Sequence, residues 1–268
     1  MKITFLGTGS IIPDPKRDNK VTRSYSAILV EIGTETLLFD IGPGTLTKMQ
    51  QIGVDTRLHP DHLFISHYHI DHCQDYVGMV KGRWFNVQTG ALEVGKKLNV
   101  YGTTHLQSWT NELFSNVERW SYLSKMLDYH KITNLTEKKE GIIAQTQDWK
   151  VSCIPVKHYD GIAFRLEAEG KSFVYSGDMQ YDKNLSILGK NADIVAVECS
   201  FPDKKVLIGA HLCPEDIAKL ATFGNFKRVV LTHLYPLCSG REVEMISYIE
   251  SHSSTKATIA HDFYQITL

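Results

Sequence analysis

An α/β fold is predicted for this chain of 268 residues on three observations. Short runs of apolar, β-branched and aromatic residues recur along its whole length, as buried strands require. Between them lie segments with apolar residues every three or four positions, the period of a helix with one buried face. No linker, low-complexity stretch or internal repeat divides the chain, and 43% hydrophobic residues with 8 prolines are enough for one large core. One domain over residues 1–268 is therefore expected.

The elements follow in order. The opening Met1-Lys2-Ile3-Thr4-Phe5-Leu6 alternates like a strand and runs into Gly7-Thr8-Gly9, so a strand is placed near 2–6. Further strands are placed near 26–32, 36–40 and 62–65. The third ends at Asp40, and Ile41-Gly42-Pro43-Gly44 then turns into a helix carrying Leu46, Met49 and Ile52. In the middle, Leu106, Trp109, Leu113, Val117, Trp120, Leu123 and Leu127 keep a helical spacing and predict an amphipathic helix or helix pair, its tryptophans in the core. Strands recur near 143–156, 162–168, 171–176, 193–197 and 228–232. Pro214 suits the first turn of a helix through Ile217, Leu220 and Ala221. A last helix carries Val243, Ile246 and Ile249, and a strand from Tyr264 to Leu268 closes the chain.

Charge and cysteine usage narrow the function classes. A formal net charge of −1 provides no general field for nucleic acid, and Lys96-Lys97, Lys138-Lys139 and Lys204-Lys205 read as solvated turns, so strong general nucleic-acid binding is not expected. Five cysteines at 73, 153, 199, 213 and 238 form no CxxC pair, and they read as reduced thiols of a cytoplasmic protein. The N-terminal apolar segment is too short for a signal peptide, and nothing reaches transmembrane length, so no membrane partner is expected.

The most informative stretch is Ser66-His67-Tyr68-His69-Ile70-Asp71-His72, three imidazoles and a carboxylate directly after the apolar run Leu63-Phe64-Ile65. A strand ending in such a cluster presents it at a rim where a metal can collect the side chains. Imidazole with carboxylate and without thiolate suits a hydrolytic zinc, manganese or iron site better than a structural zinc. His158, Asp178 and His233 each follow another strand-like run, as do Asp40 and Glu198. That is the usual place for ligands on an α/β scaffold.

The ordered set of Asp40, His67-x-His69-x-Asp71-His72, His158, Asp178 and His233 resembles the metallo-β-lactamase superfamily. Within it the chain is most similar to the ribonuclease Z-like phosphodiesterase branch, through Phe5-Leu6-Gly7-Thr8-Gly9-Ser10 and through His211 between Asp178 and His233. Two departures matter. His211-Leu212-Cys213-Pro214 is closer to small-molecule cyclic phosphodiesterases of that branch than to ribonuclease Z. Only 20 positions separate His158 from Asp178, too few for the long RNA-binding arm of the familiar ribonuclease Z type.

The resemblance implies a four-layer αββα sandwich, two mixed sheets face to face with helices outside. It implies two divalent metal ions, zinc first with manganese or iron as alternatives. His67, His69 and His158 would hold one; Asp71, His72 and His233 the other; Asp178 would bridge them. A hydroxide shared by the pair would be the nucleophile. His211 would protonate the leaving oxygen or bind the phosphate, Glu198 would orient it, and Asp71 is counted with these two as catalytic. Asp40 would be a hydrogen-bond partner of a ligand rather than a ligand.

The leading function is thus a dinuclear phosphodiesterase acting on a small phosphodiester or an RNA end, with a homodimer compatible. A lactonase or thioesterase on the same scaffold is the alternative, and His211 favours phosphate. A non-enzymatic metal-bearing protein is the third class, disfavoured because no ligand is missing. His59 and His62 are expected in surface or edge packing, Cys73 beneath the site, and Cys213 as a thiol that could make activity sensitive to oxidation. Gly7-Thr8-Gly9 lacks the third glycine and the acidic residue of a dinucleotide fingerprint.

Overall fold

The computed structural model describes residues 1–12, 23–84, 97–116, 118 and 128–268. Along the chain run β1 (Lys2–Gly7), β2 (Ala27–Ile32), β3 (Glu35–Phe39), α1 (Thr45–Gln51), β4 (His62–Phe64), α2 (Ile70–Cys73), α3 (Tyr76–Trp84), β5 (Leu98–Gly102), α4 (Leu106–Asn111) and β6 (Thr133–Glu137). They are followed by β7 (Gly141–Gln145), β8 (Trp149–Pro155), β9 (Ile162–Ala168), β10 (Lys171–Tyr175), α5 (Asn184–Leu188), β11 (Ile194–Glu198), α6 (Pro214–Gly224), β12 (Arg228–Thr232), α7 (Glu242–His252), β13 (Lys256–Ile259) and β14 (Tyr264–Thr267).

The strands form two sheets, ordered β14-β1-β2-β3-β4-β5-β6 and β13-β12-β11-β10-β9-β8-β7. Each is mixed in the same way. In the first, β14 to β3 pair antiparallel and β3 to β6 parallel. In the second, β7 to β10 pair antiparallel and β10 to β13 parallel. The two halves share this plan although the sequence shows no repeat.

Three apolar clusters account for four layers. Between the sheets lie Phe39, Phe64, Phe164, Phe173, Tyr175 and Trp149. Phe39 stacks on Phe64 at 5.0 Å between ring centroids, and Phe64 on Tyr101 at 4.6 Å. Met49 of α1, Met79 of α3 and Leu106 of α4 cover the outer face of the first sheet. Leu185 of α5, Ile217 of α6 and Ile249 of α7 cover that of the second. Each such large side chain contributes about 1.5–3 kcal/mol by leaving water. This is the four-layer αββα sandwich that the resemblance implies.

Several expectations need correction. The segment 143–156 is a hairpin, β7 and β8, rather than one strand. β5, β6 and β13 were not foreseen; β6 reads Thr-Asn-Leu-Thr-Glu on a sheet edge, with too few apolar residues to signal a strand. The helical spacing from Leu106 ends as α at Asn111 and passes into a π turn, Glu112–Asn116. Val117, Trp120, Leu123 and Leu127 lie outside the described residues. His62 is not at the surface: it is buried in β4, its ring 4.7 Å from that of Trp149 and its Nδ1 3.1 Å from the Tyr101 hydroxyl. The tyrosine supplies the partner that an interior imidazole requires.

Candidate metal centre

The parallel strands place the site. Asp40 follows β3, the histidine cluster follows β4, Asp178 follows β10, Glu198 ends β11 and His233 follows β12. All stand at carboxyl ends of strands from both sheets, which therefore open onto one rim. His158 comes from the exit of β8. Backbones approach closely there. A Cβ on Gly42 would meet the Asp71 carbonyl oxygen at 2.1 Å, and Gly177, at φ +58°, lies where a Cβ would be 2.8 Å from that of Ser66. These glycines allow the β3 and β10 loops to close on the β4 loop.

Eight side chains converge. Ligand-type atoms of His67, His69, His158 and Asp178 lie within 4.8 Å of one another, as do those of Asp71, His72 and His233. A third such group joins Asp178, His211 and His233. His72 Nε2 is 3.3 Å from Asp178 Oδ1, His233 Nε2 is 3.3 Å from Asp178 Oδ2 and 3.2 Å from Asp71 Oδ2, and His158 Nε2 is 3.3 Å from His69 Nδ1. Ligand atoms about 2.0–2.1 Å from a tetrahedral ion stand roughly 3.3–3.4 Å apart. These four separations match that spacing, and the others within each group lie within 4.8 Å.

The unpaired atoms agree. His67 Nε2, His72 Nε2, His158 Nδ1 and Asp178 Oδ1 are buried without a hydrogen-bond partner, a costly state that a cation would relieve. The outer atoms are taken up by the protein. Asp40 Oδ2 receives His72 Nδ1 at 2.7 Å, the Ser66 hydroxyl at 2.8 Å and the Tyr175 hydroxyl at 2.6 Å. His67 Nδ1 faces Ser66 Oγ at 3.0 Å, and His233 Nδ1 faces Ser200 Oγ at 3.0 Å. With Nδ1 engaged, each of these rings turns Nε2 to the centre.

Electrostatics sort the imidazoles. Burial, then the charge of His72, holds His67 well below the usual imidazole range. Burial also lowers His69, and lowers His158 to about 4. These rings offer lone pairs. Burial opposes a proton on His72, but Asp178 and Asp40 hold it there well above the ordinary value. Asp178 stays ionised far below the carboxylate range, because the charges of His233 and His72 outweigh its burial.

His211 sits beside this cluster. Its Nδ1 is 3.0 Å from Glu198 Oε1, and the carboxylate holds its proton above the ordinary range against the effect of burial. Glu198 also accepts the Met179 amide at 3.0 Å and the Ser200 hydroxyl at 2.8 Å, so it fixes the Asp178 loop as well as His211. Asp40 and Glu198 are thus both outer hydrogen-bond acceptors, neither within a ligand group. Ser66, Tyr175, Ser200 and Tyr235 were missed by sequence reasoning. A tyrosine in the buried run Phe173-Val174-Tyr175 must find a polar partner, and that signal could have pointed to Asp40.

Neither Cys73 nor Cys213 is placed as a reactive thiol. Cys73 lies beneath the cluster, its thiol donating to the His69 carbonyl at 3.2 Å, and burial pushes its pKa up to about 12. Cys213 is fully buried, and burial raises its pKa too. The expected oxidation sensitivity through Cys213 is not supported, because a buried thiol is a poor nucleophile.

The comparisons agree with this fold. The metallo-β-lactamase fold protein YhfI from Bacillus subtilis superposes with a TM-score of 0.78 at 20% identity, covering 99% of this chain and 98% of that one. The short form of human tRNase Z superposes at 0.72 with 22% identity, covering 100% and 99%. In sequence, a ribonuclease Z of Archaeoglobus fulgidus is 28% identical over 276 aligned residues, 87% of each chain. The model of the family described as Anti-Pycsar protein Apyc1 matches residues 1–236, from β1 through the loop carrying His233, and the chain belongs to that family.

Proposed function

We propose that the protein is a metal-dependent phosphodiesterase that uses a pair of divalent cations on small cyclic or linear phosphodiesters. The observation that carries this reading is the place of Asp178. Its two oxygens face His72 and His233 at 3.3 Å each, while the same carboxylate closes the group of His67, His69 and His158. One carboxylate bordering two sets of imidazoles suits a bridge between cations, which need an anion between them.

In this reading His67, His69 and His158 hold one ion, zinc by preference for imidazole, and Asp71, His72 and His233 hold the second. Bound there, the cations supply the Lewis acidity that activates water and offsets charge on phosphoryl oxygens. Asp40, Ser66 and Ser200 orient the rings. His211, steadied by Glu198, donates a proton to the departing oxygen. A proton donor at this place favours an ester that expels an alkoxide over a thioester, whose thiolate departs with less help.

Kinship with ribonuclease Z favours a second reading, cleavage at an RNA end. Against it stand the net charge of −1 and the short hairpin β9–β10, which fills the interval between His158 and Asp178. Metal-reconstituted protein should be assayed against a phosphodiester, a phosphomonoester, a lactone and a thioester. Turnover of the phosphodiester above the rest is expected; rapid turnover of the lactone alone would reject the reading.

A further inference from the structure

Tyr235 lies two residues beyond His233, at the wall of the cavity of about 420 Å³ that also exposes Asp71, Asp178 and His211. Its ring stands edge-on to Phe201 with centroids 5.1 Å apart, and 5.2 Å from the ring of His211. Its hydroxyl is 3.2 Å from His211 Nε2. Because Glu198 takes the Nδ1 side of His211, a protonated ring donates its Nε2–H to the tyrosine oxygen, and the tyrosine's own O–H stays available as a donor.

This pairing has a consequence for an anionic substrate. The carboxylates of Asp71 and Asp178 can only accept hydrogen bonds, so they offer nothing to a phosphate oxygen. The phenol is a neutral donor held by packing on Phe201. Rotation about the Cζ–Oη bond, with no movement of heavy atoms, aims that O–H into the cavity while the oxygen accepts from His211 Nε2. The Nε2–H of His211, held beside it, is the proton available to the leaving oxygen.

We propose that Tyr235 is a substrate-contacting residue, its hydroxyl donating to a non-bridging phosphoryl oxygen while His211 serves the leaving group. The inference rests on the phosphodiesterase reading above and adds a donor aimed at charge that grows in the transition state.

Tyr235→Phe keeps the ring against Phe201 and removes only the hydroxyl. With both proteins metal-loaded, kcat/KM for bis(p-nitrophenyl) phosphate should fall roughly 100- to 1,000-fold, the range of a lost oxyanion donor. Inhibition by inorganic phosphate should weaken, and bound metal by elemental analysis should be unchanged. Unaltered kcat/KM with unaltered phosphate inhibition would overturn the assignment. So would loss of metal in the variant, which would place the hydroxyl's role in the centre itself. If the unsubstituted protein hydrolyses no phosphodiester, it is the underlying reading that has failed, and the inference falls with it.

Discussion

Asp40 Oδ2 lies 2.7 Å from His72 Nδ1, and both side chains are fully buried. Asp40 accepts three side-chain donors on that one oxygen and the Ser66 amide on the other at 2.7 Å, so it ties the β3 exit to the β4 cluster and to Tyr175 of β10. Its φ is +58°, a conformation that asparagine also tolerates. Asp40→Asn should therefore keep the backbone while weakening the acceptor. Metal affinity is expected to drop about 10- to 100-fold, the usual range for an outer partner of a ligating histidine. Competition with a chromogenic chelator measures it, and equal affinity would show that His72 needs no anchor.

Asp178 faces both histidine groups, so its removal should act on both. Asp178→Ala is expected to carry far less metal than the unsubstituted protein, which should hold close to two equivalents, since seven ligands exceed what one tetrahedral sphere uses. His69→Ala should lose mainly one. A fully loaded pair in the Asp178 variant would exclude the bridge.

Much of this centre could be read before the fold was known, for a physical reason. Imidazoles and carboxylates are few, and His67, His69, Asp71, His72, His158, Asp178 and His233, proposed above as ligands, all come shortly after strand-like runs. Strands with strong apolar runs were equally plain. What stayed hidden depends on neighbours distant in sequence. Ser200 and Tyr235 are ordinary residues until β11 and β12 bring them to His211, and His62 looks like a surface imidazole until Trp149 and Tyr101 enclose it. β6 shows no strand pattern because a polar edge strand buries little.

His211 should separate proton transfer from ligation. His211→Ala is expected to retain metal and lose roughly 100-fold in turnover of an unactivated ester, within the range for general acid catalysis. The loss should be smaller for a nitrophenyl ester, whose leaving group needs little protonation. Losses of the same size on both esters would assign His211 to phosphate binding instead.

The metal-free protein should lose stability as pH falls from 6.5 to 4, in part through His158. Burial lowers this ring to about 4 in the fold, whereas an unfolded histidine titrates near ~6.5. Between those values the unfolded chain holds a proton here that the folded chain lacks, so stability rises with pH. His72 acts in the opposite sense: its raised pKa stabilises the fold below ~6.5, and that contribution is lost as pH rises through its folded value. In the presence of chelator, His158→Gln should flatten the acid-side decline of the urea midpoint. Parallel profiles for the two proteins would refute this assignment.

The hairpin β9–β10 bears on RNA. Its strands pair from Lys171 with Ala168 to Tyr175 with Phe164 around the turn Glu169-Gly170, and this compact unit occupies most of the interval between His158 and Asp178. Phosphate contacts dominate nucleic-acid affinity and require clustered cations, yet here Arg165 contacts Glu167 and the carbonyls of Leu188 and Lys190, and Lys150 pairs with Glu167 at 2.6 Å. Those cations serve the sheet. Precursor transfer RNA is therefore expected to bind only in the non-specific range, roughly 1–100 μM at physiological salt, and to weaken steeply as salt rises. A small phosphodiester should show the higher kcat/KM. Filter binding across a salt series, with cleavage products mapped on the same RNA, tests both halves. Sub-micromolar binding with a cut at the mature 3′ end by the isolated protein would defeat the small-substrate assignment.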